Sequence, residues 1–67
     1  MELSKLSPTL RAALAAEIEK MPPDTDPEKA IYTAMKGVAA RIFAGETGLI
    51  DLSNSGDSFA LTLAELA

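Results

Sequence analysis

At 67 residues with no Cys and no His, the chain has room for one small domain and excludes both a disulfide staple and a zinc site of the Cys/His kind. A hydrophobic content of 48% argues against disorder, and a net charge of −4 argues against a phosphate-binding surface. A domain this small buries only about 60% of the surface its unfolded chain exposes, so extra stabilisation is expected from another protein chain, such as a copy of itself.

The charge is segregated. Residues 1–41 hold six bases and six acids; residues 42–67 hold Glu46, Asp51, Asp57 and Glu65 and no base. An acidic C-terminal third repels nucleic acid and acidic lipid and suits a basic protein surface. The longest purely apolar run, residues 12–16, is far too short to span a bilayer, and residues 1–5 lack the pattern of a secretory signal, so a cytoplasmic location is expected.

Ser7-Pro8 opens the first helix: Ser is a favoured N-cap, and Pro fits the first helical position. Leu10, Leu14, Ile18 and Met21 follow at spacings of four, four and three, one apolar stripe at helical period, with Leu3 and Leu6 as a lead-in. Pro22 disfavours helical geometry at Met21, so the helix is placed at residues 8–20. Asp26-Pro27 repeats the opening device, with Glu28 in the first turn; Thr25 and Glu28 offer a competing capping box. Ile31, Met35, Val38 and Ile42 then mark a second helix over residues 27–44, with Gly45 as its stop. The connection between them is of the length that joins antiparallel neighbours.

Beyond Gly45 the pattern changes. Leu49-Ile50-Asp51-Leu52 is a short apolar run, and Asn54-Ser55-Gly56-Asp57 is a dense turn signal. Phe59, Leu61 and Leu63 alternate with Ala60, Thr62 and Ala64, which favours a strand. The fold expected is therefore α+β: an antiparallel helical hairpin followed by a β-hairpin over residues 48–66. The alternative is an all-α three-helix chain, its third helix capped by Asp57 or Ser58 with Phe59, Leu63 and Leu66 on one face.

Few side chains carry a functional signal. Ala12 and Ala16 on the first helix, and Ala30, Ala34 and Gly37 on the second, form small-residue strips that fit a second packing surface. From these, Ala12, Ala16, Ala30 and Gly37 are expected at an oligomer interface. Glu17 lies at the edge of the first stripe, within reach of Lys20 or, across the helices, of Lys36 or Arg41. Tyr32, Lys36 and Phe43 share one shoulder of the second helix, and aromatic residues are frequent interface anchors. Two acid-rich stretches fail as calcium loops: Asp51 opens one whose twelfth position is Thr62 instead of Glu, and Asp24 opens one with Lys29 where Gly belongs.

The run Gly56-Asp57-Ser58-Phe59-Ala60-Leu61 resembles the phosphopantetheine attachment site of acyl and peptidyl carrier proteins. The resemblance implies Ser58 as the point of attachment of a prosthetic arm. It covers six residues, and nine follow Ser58 where a carrier domain needs two further helices.

With no His or Cys to act near neutral pH, no triad or phosphate loop, and little bulk to enclose a pocket, catalysis is not expected, and neither is a cofactor or metal. A DNA-binding regulator is the runner-up, but the second helix lacks the cluster of side chains that reads base edges, and the acidic tail opposes binding. The expected function is a non-catalytic protein-interaction module (an inhibitor, adaptor or accessory subunit) forming a homodimer or higher oligomer. It would bind a larger, basic protein through Tyr32, Lys36 and Phe43, with Asp51, Asp57 and Glu65 steering the encounter.

Overall fold

A computed structural model describes residues 3–66. Three α-helices follow in order: α1 (Pro8–Glu19), α2 (Pro27–Phe43) and α3 (Ser55–Leu66). A 3-10 turn at Leu3–Lys5 leads into α1, and another at Thr47–Leu49 lies between α2 and α3.

Each helix starts where a side chain can satisfy orphan N–H groups. Ser7, with extended backbone, caps α1, its Oγ accepting from the Leu10 N–H at 3.2 Å. Asp26, not Thr25, caps α2, its Oδ1 accepting from the N–H of Glu28 at 3.0 Å and of Lys29 at 3.4 Å. Both helices place Pro in the first turn, where no donor is lost. The end of α2 is a Schellman closure. Gly45 takes φ +114°, its N–H donates to the Ile42 carbonyl, and the Glu46 N–H donates to the Arg41 carbonyl. Arg41 and Glu46 then pair across the same turn, Nε to Oε2 at 2.7 Å.

The C-terminal β-hairpin expected from residues 48–66 does not form. There is no strand among the described residues, and residues 55–66 are helical, so the α+β expectation gives way to the three-helix alternative. Two local causes decide it. Asn54, read above as part of a hairpin turn, is instead an N-cap: its Oδ1 accepts from the N–H of Gly56 at 2.9 Å and of Asp57 at 3.4 Å, and its carbonyl accepts the first helical bond from Ser58. The residues that follow are largely Ala, Leu and Glu, all strong helix formers. The period-two alternation of Phe59, Leu61 and Leu63 reflects apolar residues falling on two different faces of one helix.

α2 packs against both α1 and α3. The core is small. Its large side chains are Leu6, Leu10, Leu14, Met35 and Val38; the remaining buried apolar residues are Ala13, Ala30, Ala34, Ala39 and Ala60. Ile18, Met21, Ile42, Leu49, Leu61 and Ala64 pack around it half-buried. The described residues are nonetheless compact, with a radius of gyration of 11.0 Å, close to the roughly 11 Å expected for a folded chain of this length.

The start of α3 lies directly against the N-terminal segment. A Cβ built on Gly56 would overlap the Lys5 carbonyl oxygen and crowd the capping oxygen of Asn54. The neighbour is backbone, so it has little freedom to withdraw. Gly56→Ala is therefore expected to destabilise the fold by about 1–3 kcal/mol despite the better helix propensity of Ala. Urea denaturation followed by circular dichroism measures this; unchanged or raised stability would disprove the close approach.

Candidate functional site

Asp57 is the most deeply placed ionisable group described. Its side chain is fully buried, and its carboxylate accepts three hydrogen bonds: from the Ser7 N–H at 2.8 Å, the Ser7 Oγ–H at 2.6 Å and the Asp51 N–H at 3.0 Å. Burial alone pushes the pKa of such a group up, but the bonds from Ser7 and Asp51 outweigh it and hold the pKa below its ordinary value. Two helix N-termini, those of α1 and of α3 itself, meet at this carboxylate and add favourable partial charge. Ser7 serves twice, its Oγ accepting from Leu10 while donating to Asp57.

This arrangement removes Asp57 from the set of acids expected to face a partner. Asp51 and Glu65 do lie exposed. The Asp51 carboxylate folds locally onto Ser53, accepting from its N–H at 3.0 Å and its hydroxyl at 2.5 Å. Of the four small residues expected at an oligomer interface, Ala12 and Ala16 are exposed, Ala30 is buried, and Gly37 is half-buried, a Cβ built on it standing 3.7 Å from a Glu17 carboxylate oxygen. Glu17 also reaches Arg41 at 3.3 Å and Lys20 at 3.8 Å, two of the three bases open to it from the sequence. Arg41 thereby bridges α1 and the turn after α2, and its pKa is raised chiefly by the Glu46 hydrogen bond.

The surface carries the apolar mass that the core lacks. Tyr32, Phe43 and Phe59 are the only aromatic residues in the chain, and they are exposed by 43%, 62% and 62%. Tyr32, Lys36 and Phe43 recur at four and seven residues on α2, which keeps them on one helix face, as expected. α3 is apolar on two sides. Ala60, Leu61 and Ala64 turn inward to the core. Phe59, Leu63 and Leu66, at i, i+4 and i+7, form a second stripe, with Phe59 and Leu66 well exposed and Leu63 half-buried. Leu52 is also exposed and sits beside the first turn of α3, its carbonyl accepting from the Ser58 hydroxyl at 3.4 Å. The stripe was visible in the sequence as one face of a possible third helix. Leu52 gave no signal of its own, and nothing in the sequence links Ser7 with Asp57 across fifty positions.

Near the connection between α1 and α2, an open apolar depression of about 350 Å³ is lined by Leu3, Ile18, Met21, Pro22, Ala30 and Ile31, among others. Among the described residues, no group of three or more potential ligands is placed to hold a metal ion, and no helix is long and apolar enough to cross a membrane. Comparison with known proteins gives no match: no protein-family model, no curated protein and no solved structure is similar to the chain.

Two outcomes test the Asp57 assignment. Asp57→Ala leaves three donors facing an apolar void and is expected to cost about 3 kcal/mol, against about 1–2 kcal/mol for Ser7→Ala, both read from denaturant midpoints. The acid response has a definite sign. The folded-state pKa lies below the unfolded one, so the contribution is complete above the unfolded value and is lost as pH falls through the folded value. Thermal stability of the wild type should therefore fall below about pH 4, and more steeply than that of Asp57→Asn, which has no proton to take up there. Parallel pH profiles for the two proteins would refute the assignment.

Proposed function

We propose that this chain is a non-catalytic protein-interaction module that binds a larger protein through the apolar surface left outside its core. The observation that carries the reading is the inversion of side-chain size: five of the ten buried apolar residues are Ala, while all three aromatics lie at the surface. Aromatic side chains contribute more to interfaces than to anything else at a protein surface, because they bury large area at low conformational cost. A lone exposed Leu or Phe is ordinary, but a helix that is apolar on two sides has one face too many for a monomer.

Charge supports the same reading. Asp51 and Glu65 are exposed next to this surface, and no base occurs from residue 42 onward. Such a surface favours a partner with a basic rim and repels nucleic acid. The module would act by occupancy, covering a site on the partner and so inhibiting it, or completing it as an accessory subunit.

The test is a capture from the native host with tagged protein. Wild type is expected to retain one protein partner. Phe59→Asp and Tyr32→Ala are expected to lower recovery about tenfold or more while keeping the wild-type circular dichroism spectrum, since both sites are exposed. Retention that is insensitive to all of Tyr32, Phe43 and Phe59 would dismiss the reading.

A further inference from the structure

The outer face of α3 has features that narrow down what covers it. Its stripe of Phe59, Leu63 and Leu66 runs along a helix about 18 Å long, a ridge at the spacing that packs into the groove of another helix. Strand addition has no template, because there is no strand edge among the described residues. The electrostatics are one-sided. The last turn of α3 carries Glu65 and no base, so an acid lies at the negative end of the helix dipole. Asp51 adds a second exposed acid at the other end of the helix, held there by its N–H bond to Asp57. Arg41 on α2 pairs with Glu46 and so is already committed.

Resting on the interaction reading above, we infer that the outer face of α3 takes an amphipathic helix of a partner protein whose apolar stripe is flanked by Lys or Arg. The partner's apolar residues pack between Phe59, Leu63 and Leu66, with Leu52 closing the N-terminal end. Its cations lie over Glu65 and the α3 C-terminus at one end and near Asp51 at the other. A second copy of this chain is the poorer occupant. Two such faces would bring Asp51 and Glu65 of both copies into one interface with no base from residues 42–67 to neutralise them.

Synthetic peptides test this on the intact protein. The first is a Leu/Lys peptide with Leu recurring at helical spacing; the second replaces every Lys by Glu; the third scrambles the first. Backbone amide shifts and fluorescence anisotropy report the binding site and the affinity. The expected result is binding of the first peptide with shifts confined to residues 51–66, at least about tenfold weaker binding of the other two, and weakening by added salt. Phe59→Asp, and independently Leu66→Asp, should abolish it; both residues are more than half exposed, so the fold is retained.

Equal binding of the Leu/Glu peptide would overturn the partner chemistry while leaving α3 as a docking face. Binding that survives both substitutions, or no binding at all, would overturn the site. In that case the broader reading stands or falls separately, on whether host capture depends on Tyr32 and Phe43. Sedimentation showing a dimer that Phe59→Asp dissociates would assign the face to a second copy. Phe59-dependent binding to neutral phosphatidylcholine vesicles would assign it to a lipid surface. Either outcome overturns the inference.

Discussion

A single buried carboxylate ties the three parts of this chain together. Asp57 lies in the first turn of α3, yet two of its three donors belong to Ser7 at the start of α1 and the third to the loop at Asp51. Burying an anion is costly unless every lone pair is engaged. The requirement therefore works as a constraint on geometry: α1, the connecting loop and α3 must all be in register for the charge to be tolerated. The contact of Gly56 with the Lys5 carbonyl belongs to the same joint, since no bulkier residue lets the first turn of α3 reach Ser7. A core with only five large apolar side chains leaves much of the specification of the fold to this polar joint.

What the interior gives up in bulk it gains in closeness. Ala30, Ala34, Ala39 and Ala60 bury little area each, but they fill the core beside α2 without displacing the helices from one another. The larger side chains that could have filled a wider core are displaced outward. On α3 this produces a helix whose inward face is mostly small and whose outward face carries Phe and Leu, the reverse of the usual pattern. The docking role proposed for that face follows from this distribution and from the absence of any base in the last third of the chain.

The helices α1 and α2 were legible because their signals were redundant. Ser7-Pro8, Asp26-Pro27 and Gly45 marked the ends that capping chemistry then realised, and the spacings of Leu10, Leu14, Met35 and Val38 matched one buried face each. The third element was not, because its signals conflicted. Asn54-Ser55-Gly56-Asp57 serves equally as a hairpin turn or as a cap and first turn. Apolar residues on both sides of α3 destroy the single stripe by which a helix is recognised. The candidate site was legible in part. Tyr32, Lys36 and Phe43 share the expected face, whereas Asp57 reads as a surface acid until its partners fifty and six residues away are known.

The position of Tyr32 governs how this molecule can be observed. It is the only tyrosine, and the chain has no tryptophan, so all useful intrinsic emission arises from one partly exposed phenol on α2, outside the core. Emission from that ring is poorly coupled to core melting and well coupled to whatever settles over the α2 surface. Optical titration of the unlabelled chain would consequently follow events at the α2 surface more faithfully than it follows unfolding.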